Sequence, residues 1–276
     1  MTLWLIVPAA GRGQRMQADR PKQYLTLQGK SVLARTLERL HQAFPEAALR
    51  LCLDPDDEYF DPRDVPFEDW QRVGGGDQRA DTVGRALATL VEQAADDDWV
   101  LVHDAARPCV RLEDLQALRE ALEDEAIGAL LATPAADTMK RADERGRISH
   151  TEPRDGLWHA LTPQVFRFDL LRQALDAALA TGMTVTDEAS AIEAMGLAPR
   201  LVAGSRDNLK ITHPEDLAMA ARILAVQSET ASGSAPTVSG QGAVSGQGAV
   251  SGQGAVSGQG AVSGQGAVSG QKGVEA

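Results

Sequence analysis

Short, mainly apolar runs alternate with segments of helical periodicity, and this alternation restricts the fold more than any other feature of the chain. The apolar runs span residues 3–7, 48–53, 99–102 and 127–132, and the helical patterns span 31–43, 80–94 and 112–122. Runs without polar alternation are typical of strands covered on both faces, and strands that alternate with helices form parallel sheets through right-handed crossovers. The sequence therefore predicts an α/β fold with a mostly parallel sheet.

Residues 137–155 interrupt this rhythm. They are charged and rich in arginine, and Glu144-Arg145-Gly146 suits a turn between two short polar strands. The segment is therefore predicted to form a protruding β-hairpin arm.

Five further elements are predicted after the arm. They are helices at 168–181 and 187–195, short strands at 200–202 and 209–212, and a last helix that opens near Thr212. Pro214 suits the first turn of that last helix, and Glu215 and Asp216 suit the positive end of its dipole.

The last part of the chain, residues 231–276, has a different composition from the rest. Val238 begins five copies of Val-Ser-Gly-Gln-Gly-Ala, followed by a degenerate sixth copy. A hexapeptide period is also found in β-helices, but one valine per unit buries too little apolar surface to offset the entropy of ordering the chain. We expect a disordered low-complexity tail after a folded domain over residues 1–230.

The folded region is acidic. Lys272 and Glu275 are the only charged residues of the tail and cancel each other, so the net charge of −12 falls on the first 230 residues. Nucleic-acid and anionic-membrane binders recruit phosphates with net positive surfaces. We therefore expect small-molecule partners, with no nucleic acid and no membrane.

The chain shows no signal for secretion or membrane insertion. Cys52 and Cys109, the two cysteines, have no metal-like spacing and form no disulfide framework. The apolar run 3–10 is too short to span a bilayer and lacks the basic flank of a secretory signal. A reducing, cytoplasmic location is the expectation.

The first strand leads into a glycine-containing loop with basic residues. Pro8-Ala9-Ala10-Gly11-Arg12-Gly13-Gln14-Arg15-Met16 is followed closely by Arg20 and Lys22. Backbone amides of such a loop approach anions closely, and Arg and Lys add charge-assisted contacts to phosphate oxygens. The alternative is an ordinary turn with a solvated basic face.

Two familiar phosphate-binding motifs are absent from the sequence. The dinucleotide fingerprint requires a third glycine where Met16 stands, and Gly29-Lys30-Ser31 lacks the first glycine of a Walker motif because Tyr24 occupies that position. Any phosphate site here is of another kind.

A second glycine cluster, Gly74-Gly75-Gly76-Asp77-Gln78-Arg79-Ala80-Asp81-Thr82, follows a short strand and leads into a helix. Its amides, the carboxylate of Asp77 and the hydroxyl of Thr82 suit hydrogen bonds to a base and its ribose. A flexible connection with an aspartate cap explains the same residues equally well.

A third segment, Val102-His103-Asp104-Ala105-Ala106-Arg107-Pro108, follows a buried strand. Carboxylates at the carboxyl edge of a parallel sheet are where α/β folds place ligand chemistry, and Asp104 near Arg107 suits a magnesium ion beside phosphates. A structural ion pair of Asp104 with Arg107 is the alternative.

These segments together resemble the 2-C-methyl-D-erythritol 4-phosphate cytidylyltransferases over residues 1–226. The matching segments, in chain order, are Pro-Ala-Ala-Gly at 8–11, Pro-Lys-Gln-Tyr at 21–24, Gly-Gly-Asp at 75–77, His-Asp-Ala-Ala-Arg-Pro at 103–108, Asp-Thr-Met-Lys at 137–140, Leu-Trp-His-Ala-Leu-Thr-Pro-Gln at 157–164, Thr-Asp-Glu-Ala-Ser at 186–190, and Lys210 before Ile-Thr. The tail has no counterpart in this pattern. The resemblance implies a single Rossmann-like nucleotidyltransferase domain that transfers CMP from CTP to methylerythritol phosphate.

The resemblance also implies roles for individual residues. Arg15 and Lys22 would stabilise the transition state. The remaining contacts implied for CTP are Ala9, Ala10, Gly11, Arg12, Gly13, Gly76, Asp77, Thr82 and Ala105, and those implied for the acceptor are Asp104, Arg107, Thr138, Arg154 and Lys210. Thr138 and Arg154 belong to the arm, which in the family reaches across a homodimer.

The implied chemistry needs no covalent nucleophile and no strong general base, since a phosphate monoester is already ionised near neutral pH. Mg²⁺ would bridge the triphosphate oxygens, with Asp104 as the best protein ligand and Asp207 as a second candidate. His103 and His159 are interpreted as structural. Two alternatives stay open at this point: cytidylyl transfer to ribitol 5-phosphate, and a non-catalytic nucleotide-binding protein of the same fold.

Overall fold

A computed structural model of the chain describes residues 1–11, 16 and 18–231. The chain divides into two units, Met1–Ala235 and Pro236–Ala276, and the description concerns the first. Arg12, Gly13 and Arg15, and the tail predicted to be disordered, lie outside the described residues.

The described residues form eleven strands and six α-helices. The strands are β1 (Leu3–Pro8), β2 (Thr26–Leu27), β3 (Lys30–Ser31), β4 (Ala48–Leu53), β5 (Trp70–Gly74), β6 (Trp99–Val102), β7 (Gly128–Pro134), β8 (Met139–Ala142), β9 (Ile148–Glu152), β10 (Trp158–Arg167) and β11 (Arg200–Ala203). The helices are α1 (Val32–Ala43), α2 (Arg79–Ala88), α3 (Leu112–Ala121), α4 (Phe168–Ala180), α5 (Glu188–Ala194) and α6 (Pro214–Ala231).

Seven strands build one sheet in the order β11-β7-β10-β6-β1-β4-β5. All neighbouring pairs are parallel except those of β10, which runs antiparallel to both β6 and β7. The α/β fold with a mostly parallel sheet is thus confirmed.

The strand β10 was not predicted, because Pro163 stands inside it. Proline cannot donate a ladder hydrogen bond and therefore argues against a central strand. The register of β10 against β7 shifts between Ala160 and Gln164, and Pro163 lies within this irregular stretch, where the regular ladder is interrupted.

Helices cover both faces of the sheet, as the mainly apolar runs require. In β1, Leu5 and Val7 pack into the cluster that contains residues of α1 and α3, whereas Trp4 and Ile6 pack into the cluster of α2, α4 and α5. The alternating side chains of one buried strand therefore supply two hydrophobic cores.

Helix α2 ends earlier than its periodicity predicts. The sequence predicted a helix to residue 94, but α2 stops at Ala88, and Leu90 and Gln93 continue as tight turns, donating their amides three residues back. Leu90 is fully buried. The apolar spacing therefore persists beyond the end of the helix, and this explains the error.

The segment at 209–212 forms an extended loop, so the strand predicted there is wrong. Its backbone is joined to the loop after β6 by a hydrogen bond from Ile211 N to Ala106 O at 2.9 Å, but it forms no strand ladder. Helix α6 begins at Pro214, as predicted, and Asp216 accepts hydrogen bonds from the amides of Thr212 and His213, both at 2.8 Å.

The strands β8 and β9 form the predicted hairpin as a separate two-stranded sheet. Gly146 adopts a left-handed conformation in the turn, with φ of 72°. Residues 140–151 are exposed throughout. Among the described residues, no helix combines the length and apolar character needed to cross a bilayer.

Candidate functional site

A cleft of about 850 Å³ lies where β1, β4, β5 and β6 reach their carboxyl ends. The segments that directly follow these strands line it, at residues 9–11, 54–55, 75–79 and 104–106, together with Lys22 and Lys210. Ligands of open α/β sheets bind outside the carboxyl ends of the strands. The three loops selected from the sequence therefore converge on one cleft.

Two glycines of the second loop are required by close packing. A Cβ on Gly75 would lie 2.2 Å from the Cβ of Ala10, and one on Gly76 would lie 2.5 Å from the Cβ of Asp81. The amide of Gly76 donates to the hydroxyl of Thr82 at 2.9 Å. The loop after β5 is thus held against the loop after β1, and Gly76, Asp77 and Thr82 all line the cleft.

His103 anchors the third loop from within the core. Its Nε2 lies 3.2 Å from the carbonyl of Arg107, which can only accept, so Nε2 carries the proton and Nδ1 accepts from the hydroxyl of Thr162 at 3.1 Å. Thr162 in turn accepts from the amide of Asp104, also at 3.1 Å. Burial lowers the pKa of His103 from 6.5 to about 4. These contacts agree with a structural role.

Asp104 lies among three positive side chains on the cleft floor. Its Oδ1 accepts from Arg79 Nε at 3.0 Å, and its Oδ2 accepts from Lys210 Nζ at 2.9 Å and from Arg107 Nε at 3.3 Å. Burial alone would raise the pKa of Asp104, but the charges of Arg79, Lys210 and Arg107 outweigh it and hold the pKa well below its usual range. The carboxylate is therefore ionised and orders three cations.

Sequence reasoning missed Arg79 and Glu188 as members of this group. Arg79 Nη1 and Nη2 bind Glu188 Oε1 and Oε2 at 2.6 and 3.0 Å. Burial opposes the charge of Arg79, yet Glu188 and Asp104 outweigh it and raise its pKa. The two residues stand in the segments 74–82 and 186–190, which the sequence had singled out, but nothing in their spacing paired them.

Lys22 reaches the cleft from the loop that precedes β2. Its Nζ donates to the carbonyl of Ile211 at 2.7 Å, and the neighbouring Gln23 donates from Nε2 to the carbonyl of Ala9 at 2.7 Å. These bonds join the Pro-Lys-Gln-Tyr segment both to the loop after β1 and to the segment that carries Lys210. Ala9, Ala10 and Gly11 line the cleft beside them.

A second cleft, of about 400 Å³, adjoins the first. Arg107, His159, Asn208 and Lys210 are among the residues that line it, and Lys210 lines both clefts. His159 is exposed at this cleft, and its structural interpretation stays a prediction.

Ala105 lines the larger cleft, and the hydroxyl of Thr36 in α1 binds its carbonyl at 2.8 Å. Thr138 and Arg154 are exposed on either side of the hairpin strands and are absent from the linings of these two clefts, as far as the described residues go. The structure therefore brings together the residues assigned to the sheet edge. Thr138 and Arg154 do not line the clefts themselves, but Arg154 Nη1 donates to the carbonyl of Ala136, which lines the smaller cleft.

Asp104 does not fit a magnesium ion. Both of its oxygens already accept from cations, and three positive neighbours repel a further positive charge. Asp207 binds Arg111 Nε at 2.8 Å instead. Within residues 1–11, 16 and 18–231, no cluster of three His, Cys, Asp or Glu side chains is suited to hold a metal. The geometry thus disagrees with the sequence-based expectation that Asp104 is a metal ligand.

Comparison with known proteins gives consistent matches over the described unit. The family model of 2-C-methyl-D-erythritol 4-phosphate cytidylyltransferase matches residues 3–226. The protein of that name from Chromohalobacter salexigens is 66% identical over 223 residues, which are 81% of this chain and 90% of the relative. The one from Vibrio vulnificus strain YJ016 is 51% identical over 221 residues, 79% of this chain and 93% of the relative.

Solved structures agree with these matches. The crystal structure of the Francisella tularensis 2-C-methyl-D-erythritol 4-phosphate cytidylyltransferase superposes with a TM-score of 0.70 at 33% identity, covering 81% of this chain and all of the other (100%). A 4-diphosphocytidyl-2C-methyl-D-erythritol synthase also gives a TM-score of 0.70, at 38% identity, over 81% of this chain and 98% of the other. The chain therefore belongs to the 2-C-methyl-D-erythritol 4-phosphate cytidylyltransferase family.

Proposed function

We propose that this nucleotidyltransferase binds CTP in the larger cleft and methylerythritol phosphate in the smaller one, and transfers CMP from the first to the second. The observation that carries this assignment is the position of Lys210, which lines both clefts and pairs with Asp104 at 2.9 Å. A cation at the junction of two clefts suits a reaction that brings two phosphorylated substrates together.

The transfer is a substitution at phosphorus. An oxygen of the acceptor's phosphate monoester forms a bond to the α-phosphorus of CTP, the bond from that phosphorus to the bridging oxygen breaks, and pyrophosphate leaves with the electron pair. Negative charge accumulates on the five-coordinate phosphorus, so catalysis depends on positioning and electrostatics. We assign that stabilisation to Lys22, which lines the larger cleft, and to Arg15 on the family resemblance.

The nucleoside contacts follow from the rim of the larger cleft. Gly76, Asp77 and Thr82 present amide, carboxylate and hydroxyl groups there, and Ala105 lies on the rigid loop opposite. Arg107 and Lys210 line the smaller cleft and are assigned to the acceptor, held in place by Asp104.

Mg²⁺ remains part of the proposal through the nucleotide rather than through the protein. When bound, it would neutralise the charge on the triphosphate oxygens. Because Asp104 is already surrounded by three cations, we expect the ion to take its ligands from the triphosphate and from water.

Association through the arm is the further part of the proposal. The hairpin of β8 and β9 is exposed and forms a sheet of its own, and an isolated two-stranded ribbon is marginally stable in water. Packing against the same element of a second copy would order both, and would allow Thr138 and Arg154 to complete the acceptor site of the neighbouring subunit. Cys52 and Cys109 are free and buried, which fits the cytoplasmic location that we also propose.

The decisive experiment measures pyrophosphate release with CTP and Mg²⁺. We expect release with methylerythritol phosphate, and little with ribitol 5-phosphate or without acceptor. ATP or GTP in place of CTP should give much lower rates, because the rim at residues 76–82 must match one base edge. Equal rates with a purine triphosphate would contradict the cytidylyl assignment, and faster turnover of ribitol 5-phosphate would reassign the acceptor.

A further inference from the structure

The carboxyl group of Glu188 is fully enclosed by the protein: burial raises its pKa, and the paired guanidinium of Arg79 opposes that rise and favours the carboxylate. The residue is 1% exposed, and its carboxylate makes a bidentate pair with the guanidinium of Arg79. Burying a carboxylate costs free energy unless it is paired and hydrogen-bonded, so loss of Arg79 as a partner would destabilise the folded protein. Glu188 itself does not line either cleft and is positioned to act only through Arg79.

The backbone around Glu188 is fixed to the sheet. Gln164 in β10 accepts from the amide of Ala189 at 2.9 Å and donates to the carboxylate of Asp187 at 2.8 Å. Asp187 also caps α5 by accepting from the amide of Ser190 at 3.0 Å. The carboxylate of Glu188 is therefore presented from a rigid support.

Arg79 stands between the two halves of the site. It is the first residue of α2, lies within the rim at residues 76–82 that is assigned to the nucleoside, and its side chain lines the larger cleft. Each guanidinium nitrogen is engaged: Nη1 and Nη2 with Glu188, and Nε with Asp104 at 3.0 Å. Asp104 in turn holds Lys210 and Arg107, the acceptor-side cations.

We propose that Glu188 and Arg79 are positioning residues that connect the nucleotide rim to the acceptor-binding cations through Asp104. The inference rests on the proposed function, since it assigns the pair a role in that same reaction. Neither residue exchanges a proton or forms a bond with substrate. The pair fixes the start of α2 relative to Asp104, and so fixes Lys210 relative to the bound nucleotide.

The two ion pairs of Arg79 require a guanidinium group. Two carboxylates are bound from three nitrogens of one planar group, which the single ammonium of a lysine cannot reproduce. Arg79→Lys preserves the charge but not the planar group, so we expect it not to position Asp104 and Glu188 as the arginine does. Glu188→Gln preserves the shape but leaves Arg79 with Asp104 as its one remaining carboxylate partner among the contacts described.

The experiment compares Glu188→Gln, Arg79→Lys and the double variant by steady-state pyrophosphate release, varying each substrate in turn. We expect each single variant to raise the KM of methylerythritol phosphate and to lower kcat/KM for it by about tenfold or more. The double variant should lose no more than the worse single one, because the two residues act as a unit. A loss of folded enzyme would lower kcat alone and leave both KM values unchanged.

Glu193→Gln, on the exposed side of α5, is the matched control and should behave as the parent. If Glu188→Gln does not fold, Arg79→Lys carries the test, since its side chain is 27% exposed and keeps its charge. An Arg79→Lys enzyme with acceptor KM and kcat/KM within threefold of the parent would overturn the proposal. A parent chain that transfers no CMP would instead overturn the proposed function itself.

Discussion

The loop at 103–107 and the hairpin of β8 and β9 both carry residues assigned to the acceptor, but they are held in opposite ways. The loop is buried and is bonded to β10, α1 and the segment at 208–211. The hairpin is exposed, and its cross-strand pairs, such as Arg141 with Glu152 at 2.9 Å, lie in solvent. Contacts within one chain therefore fix the loop at 103–107. The hairpin has few such contacts, so we expect its conformation to depend on the surface against which it packs.

The largest expected effect is a loss of kcat on substitution of a cation in the larger cleft. Lys22→Ala should lower kcat by about 10²-fold, with a smaller effect on CTP binding, because its charge acts mainly on the charge that develops in the transition state. Arg15→Ala should behave alike. Lys30→Ala removes an exposed lysine of β3 that pairs with Glu38 and serves as the control. Turnover within threefold of the parent for both Lys22→Ala and Arg15→Ala would remove them from the catalytic role.

The next prediction tests whether the hairpin serves the neighbouring subunit. Arg154→Ala should lower kcat/KM for the acceptor by about tenfold, since one charged contact to the substrate phosphate is lost. Mixing it with a Lys22→Ala chain should restore activity, because each mixed dimer has one site with both defects and one intact site. Equal, random mixing leaves about a quarter of the sites intact.

That mixing experiment requires proof of mixed dimers, obtained by tagging one chain and purifying through the tag. Absence of recovery in such dimers, or full activity in a chain shown to be monomeric, would contradict the shared site. Arg147→Ala, an exposed arginine of the same hairpin, is the matched control and should need no complementation.

The comparison between the two regions also shows what the sequence could predict. The bounds of β4 and β6 agree with the mainly apolar runs at 48–53 and 99–102, because burial on both faces leaves little polar alternation; Arg50 is the one charged residue of β4. The convergence of three loops followed from the parallel sheet. The pairing of Arg79 with Glu188 did not, since 109 residues separate them and only the folded chain brings their charges together.

The poor fit of Asp104 to a metal ion has a related origin. A carboxylate at the end of a strand and its neighbour Arg107 are recognisable in sequence, but the other two cations, Arg79 and Lys210, come from α2 and from the loop after β11. Whether such a carboxylate binds a metal or orders positive side chains depends on these distant neighbours. The sequence therefore indicated a carboxylate at the sheet edge, but not the distant cations that surround it.

A smaller effect, on the free energy of unfolding, is expected from His103, which anchors the loop at 103–107. The pKa of His103 is lowered from 6.5 to about 4 by burial, so between these values the unfolded chain binds a proton that the folded chain does not. The free energy of unfolding should therefore fall as the pH falls, by about 1 kcal/mol between pH 7 and pH 5.5 from this group. Asp104, whose pKa is lowered, stays ionised over this window, and the stability that it contributes is lost only as the pH falls below about 4.

Urea unfolding of the parent and of His103→Gln at several pH values measures this contribution as a difference in slope. The variant should be less dependent on pH over that window, even if it is less stable overall. Identical slopes for the parent and His103→Gln would show that the loop is not held by a neutral buried imidazole.

The smallest effect is expected from removing the tail. A chain stopped after Thr230 keeps the contacts that hold α6 to the body: Ala220 and Leu224 are buried, and Gln227 Nε2 donates to the carbonyl of Cys109 at 3.0 Å. The repeats that follow contain no charged, aromatic or titratable side chain before Lys272, so they offer nothing with which to bind phosphate or shift a pKa. Melting temperature and turnover of the shortened chain should therefore equal those of the parent, and loss of either would show that the repeats do contribute to the fold or to the site.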